Sequence, residues 1–288
     1  MSVGALLMIA ATGTANAPYT PHAVRSADGV VLSVQESGNP AGPAIVFIHG
    51  ISQSHLSWSR QVNSELAKEF RLVTFDLRGH GNSDKPLVPE AYREAKRWAG
   101  DIDAIIRQLG LGKPVLVGWS YGGRVVNDYL AQFGDGGISG IVYIAAVSTA
   151  KDGVFGPGAR LPGMTSDDLA TNIAGTRSFL EACFKVRPPP EEMAAALAYN
   201  MMVPVPVRRF LGGRPTAYDD VLRALHVPVL VVQGREDAII QPAMSEHTLS
   251  LVKHARGAFY DGVGHSPFYE AAGRFNADLA AFVRAIPR

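Results

Sequence analysis

The chain has 288 residues, of which 47% are hydrophobic and 18% charged, and its formal net charge is +1. Such a composition belongs to a globular chain long enough for one large domain with an insertion. A charge so near zero gives no electrostatic case for nucleic acid or an anionic membrane surface. Cys183 is the only cysteine, which excludes an internal disulfide and a cysteine-rich metal site and leaves a packed or incidental thiol.

The N-terminus carries an apolar run from Val3 to Ala11 and then Ala15-Asn16-Ala17, an A-x-A pattern. Residues 1–17 resemble the h-region and cleavage site of a secretory signal, so export to the periplasm or medium is one expectation. No Lys or Arg precedes the run and Pro18 follows the cut; a simple N-terminal arm on a cytoplasmic protein is the other reading. The run is too short to span a bilayer.

Strand signals begin at Val30–Glu36, followed by a loop rich in turn residues from Gly38 to Pro43. Ala44–Ile48 is a continuous apolar run, as in a central parallel strand, and it ends in His49-Gly50-Ile51. Val62, Leu66 and Phe70, four apart, predict a helix with one buried face. Leu72–Phe75 predicts the next strand, ending in the charged turn Asp76 to Asp84. Trp98, Ile102, Ile105 and Leu109 mark a core-facing helix closed by Gly110 and Gly112. Pro114 to Gly123 reads as a buried strand that turns at Gly118-Trp119-Ser120-Tyr121-Gly122 into a helix reaching Phe133. Ile141–Ile144 predicts another buried strand.

From residue 148 to 225 the alternation breaks into a proline-rich stretch with helical patches such as Glu191–Tyr199. Val227–Val232 resumes the sheet, and Phe275, Leu279, Phe282 and Val283 give a last helix its buried face. Strands alternating with helices predict an α/β fold with a mostly parallel central sheet. Residues 18–147 and 226–288 would form its core and 148–225 an inserted helical cap.

G-x-S-x-G on a strand-to-helix turn is a nucleophile elbow, which exposes the Ser120 hydroxyl above the sheet. A serine hydroxyl needs a neighbouring base, and the base an orienting acid. Asp237 follows the strand ending at Gln233, and His265 lies 28 residues beyond it, after Gly264. The order Ser120, Asp237, His265 fits a catalytic triad. Glu236 and Asp152 compete with Asp237 for the acid. Acyl transfer also needs amide donors for the oxyanion; the Tyr121 amide supplies one and the Ile51 amide the second. His49, Asp76, Arg78 and His80 read as structural braces. Trp119 and Tyr121 flank the nucleophile, and Trp119 is a candidate wall of the substrate pocket. Apolar cap residues, Phe155, Leu161, Phe179, Leu180, Phe184, Met201 and Met202 among them, serve equally to line a site or to cover the sheet.

With these motifs in hand, the chain resembles α/β-hydrolase-fold enzymes from about Val24 to the C-terminus. His49-Gly50, Asp76–Asp84, Gly118–Gly123, Asp237 and Gly264-His265 all fall in that family's order. A serine nucleophile sets it apart from haloalkane dehalogenases and epoxide hydrolases. Ser266 stands where hydrolases of ring-fission products usually carry Trp, and Ser266-Pro267-Phe268 is more similar to the aryl-esterase and cofactor-free haloperoxidase branch. The resemblance implies a serine esterase that forms an acyl-enzyme on small or medium esters, with perhydrolysis where peroxide replaces water. Carbon–carbon, lactone or amide cleavage by the same triad is the runner-up, and a silent small-molecule-binding member the remote reading. No cofactor is expected. His49, His80 and His265 lie on separate loops without metal-ligand spacing, and no glycine-rich phosphate cradle occurs.

Overall fold

In a computed structural model the protein is described over residues 18–159, 163–214 and 216–287. The signal-like segment of residues 1–17 lies outside them, as does Leu161. Eight strands, β1 (Thr20–Arg25), β2 (Val31–Gly38), β3 (Ala44–Ile48), β4 (Arg71–Phe75), β5 (Val115–Trp119), β6 (Gly140–Ile144), β7 (Val229–Gly234) and β8 (Arg256–Tyr260), form one sheet. Their order is β1-β2-β4-β3-β5-β6-β7-β8. The β1–β2 and β2–β4 pairs are antiparallel and every pair from β4 to β8 is parallel.

The central strands β3, β5, β6 and β7 are buried at every position. That is why they read as unbroken apolar runs, since helices cover both faces of the sheet. Alternate residues serve opposite faces. Val46 and Ile48 pack with Ile102 and Ile105 of α4 (Ala95–Gln108) and Val125 of α5 (Tyr121–Phe133), whereas Ile45 and Phe47 pack with Trp58, Phe275 and Leu279 on the other side. The short helices α1 (Ser59–Val62), α2 (Leu66–Glu69) and α3 (Glu90–Arg93) precede α4 in the chain.

One helix and two strands differ from the sequence expectation. Val62, Leu66 and Phe70 do not share one helix, because the chain breaks between α1 and α2. Ser64 causes the break: its hydroxyl donates to the Gln61 carbonyl at 2.7 Å and accepts from the Leu66 amide at 3.2 Å, in competition with the helical ladder. Leu66 and Phe70 still reach the core. The edge strands β1 and β8 gave no apolar run because only one residue of each is buried.

Between β6 and β7 the chain leaves the sheet to form α6 (Leu169–Ala182), α7 (Pro190–Met201), α8 (Val205–Leu211) and α9 (Asp219–Arg223). An antiparallel bridge between Thr149 and Ala217 draws the two ends of this excursion together. Arg208 on α8 staples it internally, donating to the carbonyls of Met164 and Asn200 and to the side chains of Asn172 and Thr176 on α6. After β7 come α10 (Pro242–Leu251), α11 (Pro267–Glu270) and α12 (Ala272–Arg284).

The turn after β4 is braced by Arg78, which is fully buried. Its guanidinium grips Asp101 of α4 through two bonds of 2.7 Å, meets Asp28 at 2.8 Å and also bonds the Ala91 carbonyl. Asp101 has no solvent contact either, so losing its partner would strand a buried carboxylate. Arg78→Met is expected to cost about 3–5 kcal/mol and to lower the Tm by roughly 6–15 °C, measured by calorimetry. Adding Asp101→Leu should recover part of the loss, because the stranded charge is then gone.

Candidate active site

The turn between β5 and α5 holds Ser120 at φ 54° and ψ −116°, a left-handed conformation strained for a side chain with a Cβ. Its neighbours enforce it. The Ser120 amide donates to the Ile144 carbonyl at 2.9 Å, and its carbonyl accepts from Gly123 and Val147 at 3.0 Å each. A Cβ on Gly122 would lie 2.2 Å from the Ile48 carbonyl oxygen, and one on Gly118 would lie 2.9 Å from that of Gly122. Only glycine lets helix, elbow and neighbouring strand pass so closely.

Asp237 follows β7. Its Oδ1 accepts the amides of Ile239 and Ile240 at 2.7 and 2.9 Å, and its Oδ2 accepts Gln233 Nε2 at 3.1 Å. The same Oδ2 lies 2.8 Å from His265 Nδ1. A carboxylate so placed can only accept, so Nδ1 is the donor, and in the neutral ring Nε2 carries the lone pair. Nε2 is buried and has no hydrogen-bond partner among the described residues. Of the three carboxylates considered for the acid, Asp237 alone reaches the ring. Glu236 turns to the Val263 amide at 3.1 Å, and Asp152 is exposed on a turn.

Trp119 joins the two halves. Its indole N–H donates to the His265 carbonyl at 2.8 Å, and its ring packs against Phe268 and Trp58. Sequence reasoning gave Trp119 a pocket role; it lines the cavity described below and also tethers the histidine loop to the nucleophile's strand. Tyr121 points elsewhere: its hydroxyl accepts from Arg214 at 3.0 Å, within a buried group that includes Asp128 and Tyr218. Its amide is the first of α5, which leaves that N–H without an acceptor inside the helix.

The loop after β3 runs alongside. A Cβ on Gly50 would sit 3.3 Å from Ser120 Cβ, which brings Ile51 next to the elbow. The Ile51 amide donates no hydrogen bond among the described residues. Two histidines hold this loop to the turn after β4. His49 Nε2 accepts the Leu77 amide at 3.0 Å, while Nδ1 donates to the Gly50 carbonyl at 2.8 Å. His80 Nε2 accepts the Ser52 amide at 3.1 Å, while Nδ1 donates to the Arg78 carbonyl at 2.9 Å. Asp76 collects the His55 amide and ring at 2.8 and 2.9 Å and the Asn82 amide at 2.8 Å. Although burial opposes its ionisation, these bonds hold its carboxyl at about 2.

Both bracing histidines are neutral, because burial pulls His49 down to about 4 and His80 to about 3. The unfolded rings protonate near 6.5. Stability from this pair is therefore complete above that value and is lost as pH falls through it, since the unfolded state takes up protons first. Unfolding between pH 6 and 4 should add roughly one and a half protons to these two rings. Urea midpoints measured across that range should fall steadily, and a flat profile would contradict the neutral-brace arrangement.

A cavity of about 220 Å³ lies beside Trp119, between the sheet core and the α6–α9 excursion; Ser120 and His265 are not among its lining residues. Trp119, Ser266 and Phe268 line it from the core, Gln53 and Leu56 from the loop after β3, and Phe184, Met193, Ala196 and Tyr199 from the cap. Of the apolar cap residues singled out in the sequence, Phe184 alone lines it among the described residues. Phe179 and Leu180 are buried elsewhere, and Phe155 is half exposed beside Ile240. Met193, Ala196 and Tyr199, three apart, share one face of α7, a spacing visible in the sequence once the helix is placed.

Glu270 was also missed. Its carboxylate accepts the Gly264 amide at 2.9 Å and the Lys185 and Val186 amides at 2.7 and 3.1 Å, and the Ser266 amide bonds it too. One side chain thus grips the histidine loop on both sides of His265 and the cap segment between α6 and α7. Burial pushes its carboxyl up, and the four amides hold it back.

A serine on a tight turn at the end of a central parallel strand, with a histidine oriented by a carboxylate on a loop tied to that strand, fits a hydrolytic enzyme of the α/β class. The chain belongs to the alpha/beta hydrolase fold family, whose model matches residues 43–272. It is similar over most of its length to a bifunctional esterase/perhydrolase of Acinetobacter calcoaceticus, 28% identical over 280 residues, covering 91% of this chain and 99% of that one. Among solved structures, an aryl-esterase candidate from Burkholderia cenocepacia is 39% identical with a TM-score of 0.88, covering 92% of this chain and 98% of its own. An esterase from Rhodococcus sp. ECU1013 is 33% identical with a TM-score of 0.86, covering 93% and 99%.

Proposed function

We propose that this enzyme hydrolyses uncharged carboxylic esters through an acyl-enzyme on Ser120. The observation that carries the reading is the His265 ring, fixed by Asp237 with its Nε2 lone pair free, on a loop that Trp119 ties to the Ser120 strand. Ser120 Oγ attacks the ester carbonyl as His265 Nε2 takes its proton, and the Ile51 and Tyr121 amides receive the oxyanion. The carbon–oxygen bond to the leaving alcohol then breaks, and the alcohol departs with the proton from Nε2. Asp237 stabilises the imidazolium in between. Water, deprotonated by the same nitrogen, attacks the acyl carbonyl and releases the acid and Ser120. The names of the similar proteins support this scissile bond.

The same names favour a second activity on the same intermediate. Hydrogen peroxide in place of water would release a peracid and leave every other bond change as it is.

The test is p-nitrophenyl butyrate hydrolysis followed at millisecond resolution. A burst of about one p-nitrophenol per chain, followed by slower steady turnover, is the expected signature of an acyl-enzyme. A folded protein that releases no p-nitrophenol from the acetate or the butyrate would sink the ester reading.

A further inference from the structure

Two polar side chains in the cavity remain unused. Gln53 is 3% exposed, yet its side-chain N–H groups donate to nothing among the described residues, and its Oε1 has only a long 3.5 Å contact with Ser57. Ser266 is 1% exposed and its hydroxyl has no partner. A buried polar group without a partner costs about 1–3 kcal/mol, so folding gains nothing from placing the Ser266 hydroxyl there. The Tyr199 hydroxyl in the same cavity is bonded to Ser57 and so is already engaged.

Their positions narrow what they await. Gln53 lies two residues after Ile51 and Ser266 directly follows His265, so both reach the cavity from the two loops that carry the proposed oxyanion amide and the proposed base. Gln53 offers donors, and a hydroxyl can donate or accept. Trp119, Phe184, Met193 and Phe268 supply apolar wall to the cavity, alongside Ser57, Ser59 and Tyr199. Its one charged lining residue is Glu192, whose carboxylate is taken by Tyr269 at 2.5 Å and Arg60 at 3.3 Å. Among the described lining residues a substrate carboxylate would find no cation.

We propose that Gln53 and Ser266 form a polar subsite for a hydroxyl on the carbon next to the scissile carbonyl. The preferred substrates are then uncharged esters of 2-hydroxy acids with an apolar, ring-sized body. The proposal rests on the ester-hydrolase reading and adds the substrate class to it. Sites that bond a substrate hydroxyl discriminate strongly against the analogue lacking it, because their own polar groups are then left bare.

Methyl mandelate and methyl phenylacetate differ by that one hydroxyl. The wild type should favour mandelate in kcat/KM, and Ser266→Ala and Gln53→Met should each lower the mandelate-to-phenylacetate ratio by about fivefold to tenfold. A ratio cancels any general damage to the site, and Ser266→Ala removes only an atom that has no partner. In parallel, both esters are titrated into Ser120→Ala protein, with and without the second substitution, by quenching of tryptophan fluorescence. Turnover of both esters with ratios unchanged in the two variants would overturn the subsite and leave the esterase reading standing. No turnover by the wild type, with tighter mandelate binding that Gln53→Met removes, would overturn the esterase reading and keep the subsite.

Discussion

Alanine at position 120 is expected to lower kcat on p-nitrophenyl butyrate by about 10⁶-fold and to abolish the burst. The substitution removes one oxygen and retains the Cβ, so the elbow bears the same strain and the backbone bonds to Ile144, Gly123 and Val147 persist. Circular dichroism and the Tm should therefore match the wild type, which separates loss of the nucleophile from loss of the fold. What remains should be the assistance of the Ile51 and Tyr121 amides and of binding, on the order of 10³-fold over water. A variant that keeps a burst would assign the acyl group to another residue.

Asparagine at position 237 should cost about 10⁴-fold in kcat, for a reason the hydrogen bonds make specific. Oδ1 of Asp237 accepts two backbone amides, so an asparagine would keep its carbonyl oxygen there. Its NH₂ would then replace Oδ2, facing His265 Nδ1 and the Gln233 amide donor. Nδ1 would have to become an acceptor, which moves the ring proton to Nε2. The nitrogen that must take the Ser120 proton would already hold one. Binding should change little, so KM should stay within a few-fold while kcat falls. A loss below tenfold would mean that Asp237 does not set the tautomer.

Much of this arrangement was legible in the sequence because it sits where strands end. The strands bearing His49-Gly50, Ser120 and Asp237 are buried on both faces and announce themselves as apolar runs, and the chemistry follows at their C-terminal ends. His265 lies on a loop, but Gly264 and the order of the three residues marked it. Gln53 and Glu270 were not legible. Each takes its meaning from contacts remote in the chain, as when Glu270 gathers amides from Lys185 and Val186. Neither spacing nor composition carries that information. The broken helix at Ser64 shows the same limit locally, where one hydroxyl overrides a four-residue apolar period.

The four amides on Glu270 also limit how freely the cap can diverge. An insertion that merely covers a site could be exchanged or lengthened at will, with the core indifferent to its identity. Here one carboxylate of the core is shared between residues 185–186 and the two flanks of His265. A transplanted cap that fails to return two amides to that spot would leave a half-buried acceptor half empty and the histidine loop less firmly seated. Inheritance of a new pocket and inheritance of a working base are thus one event in this chain.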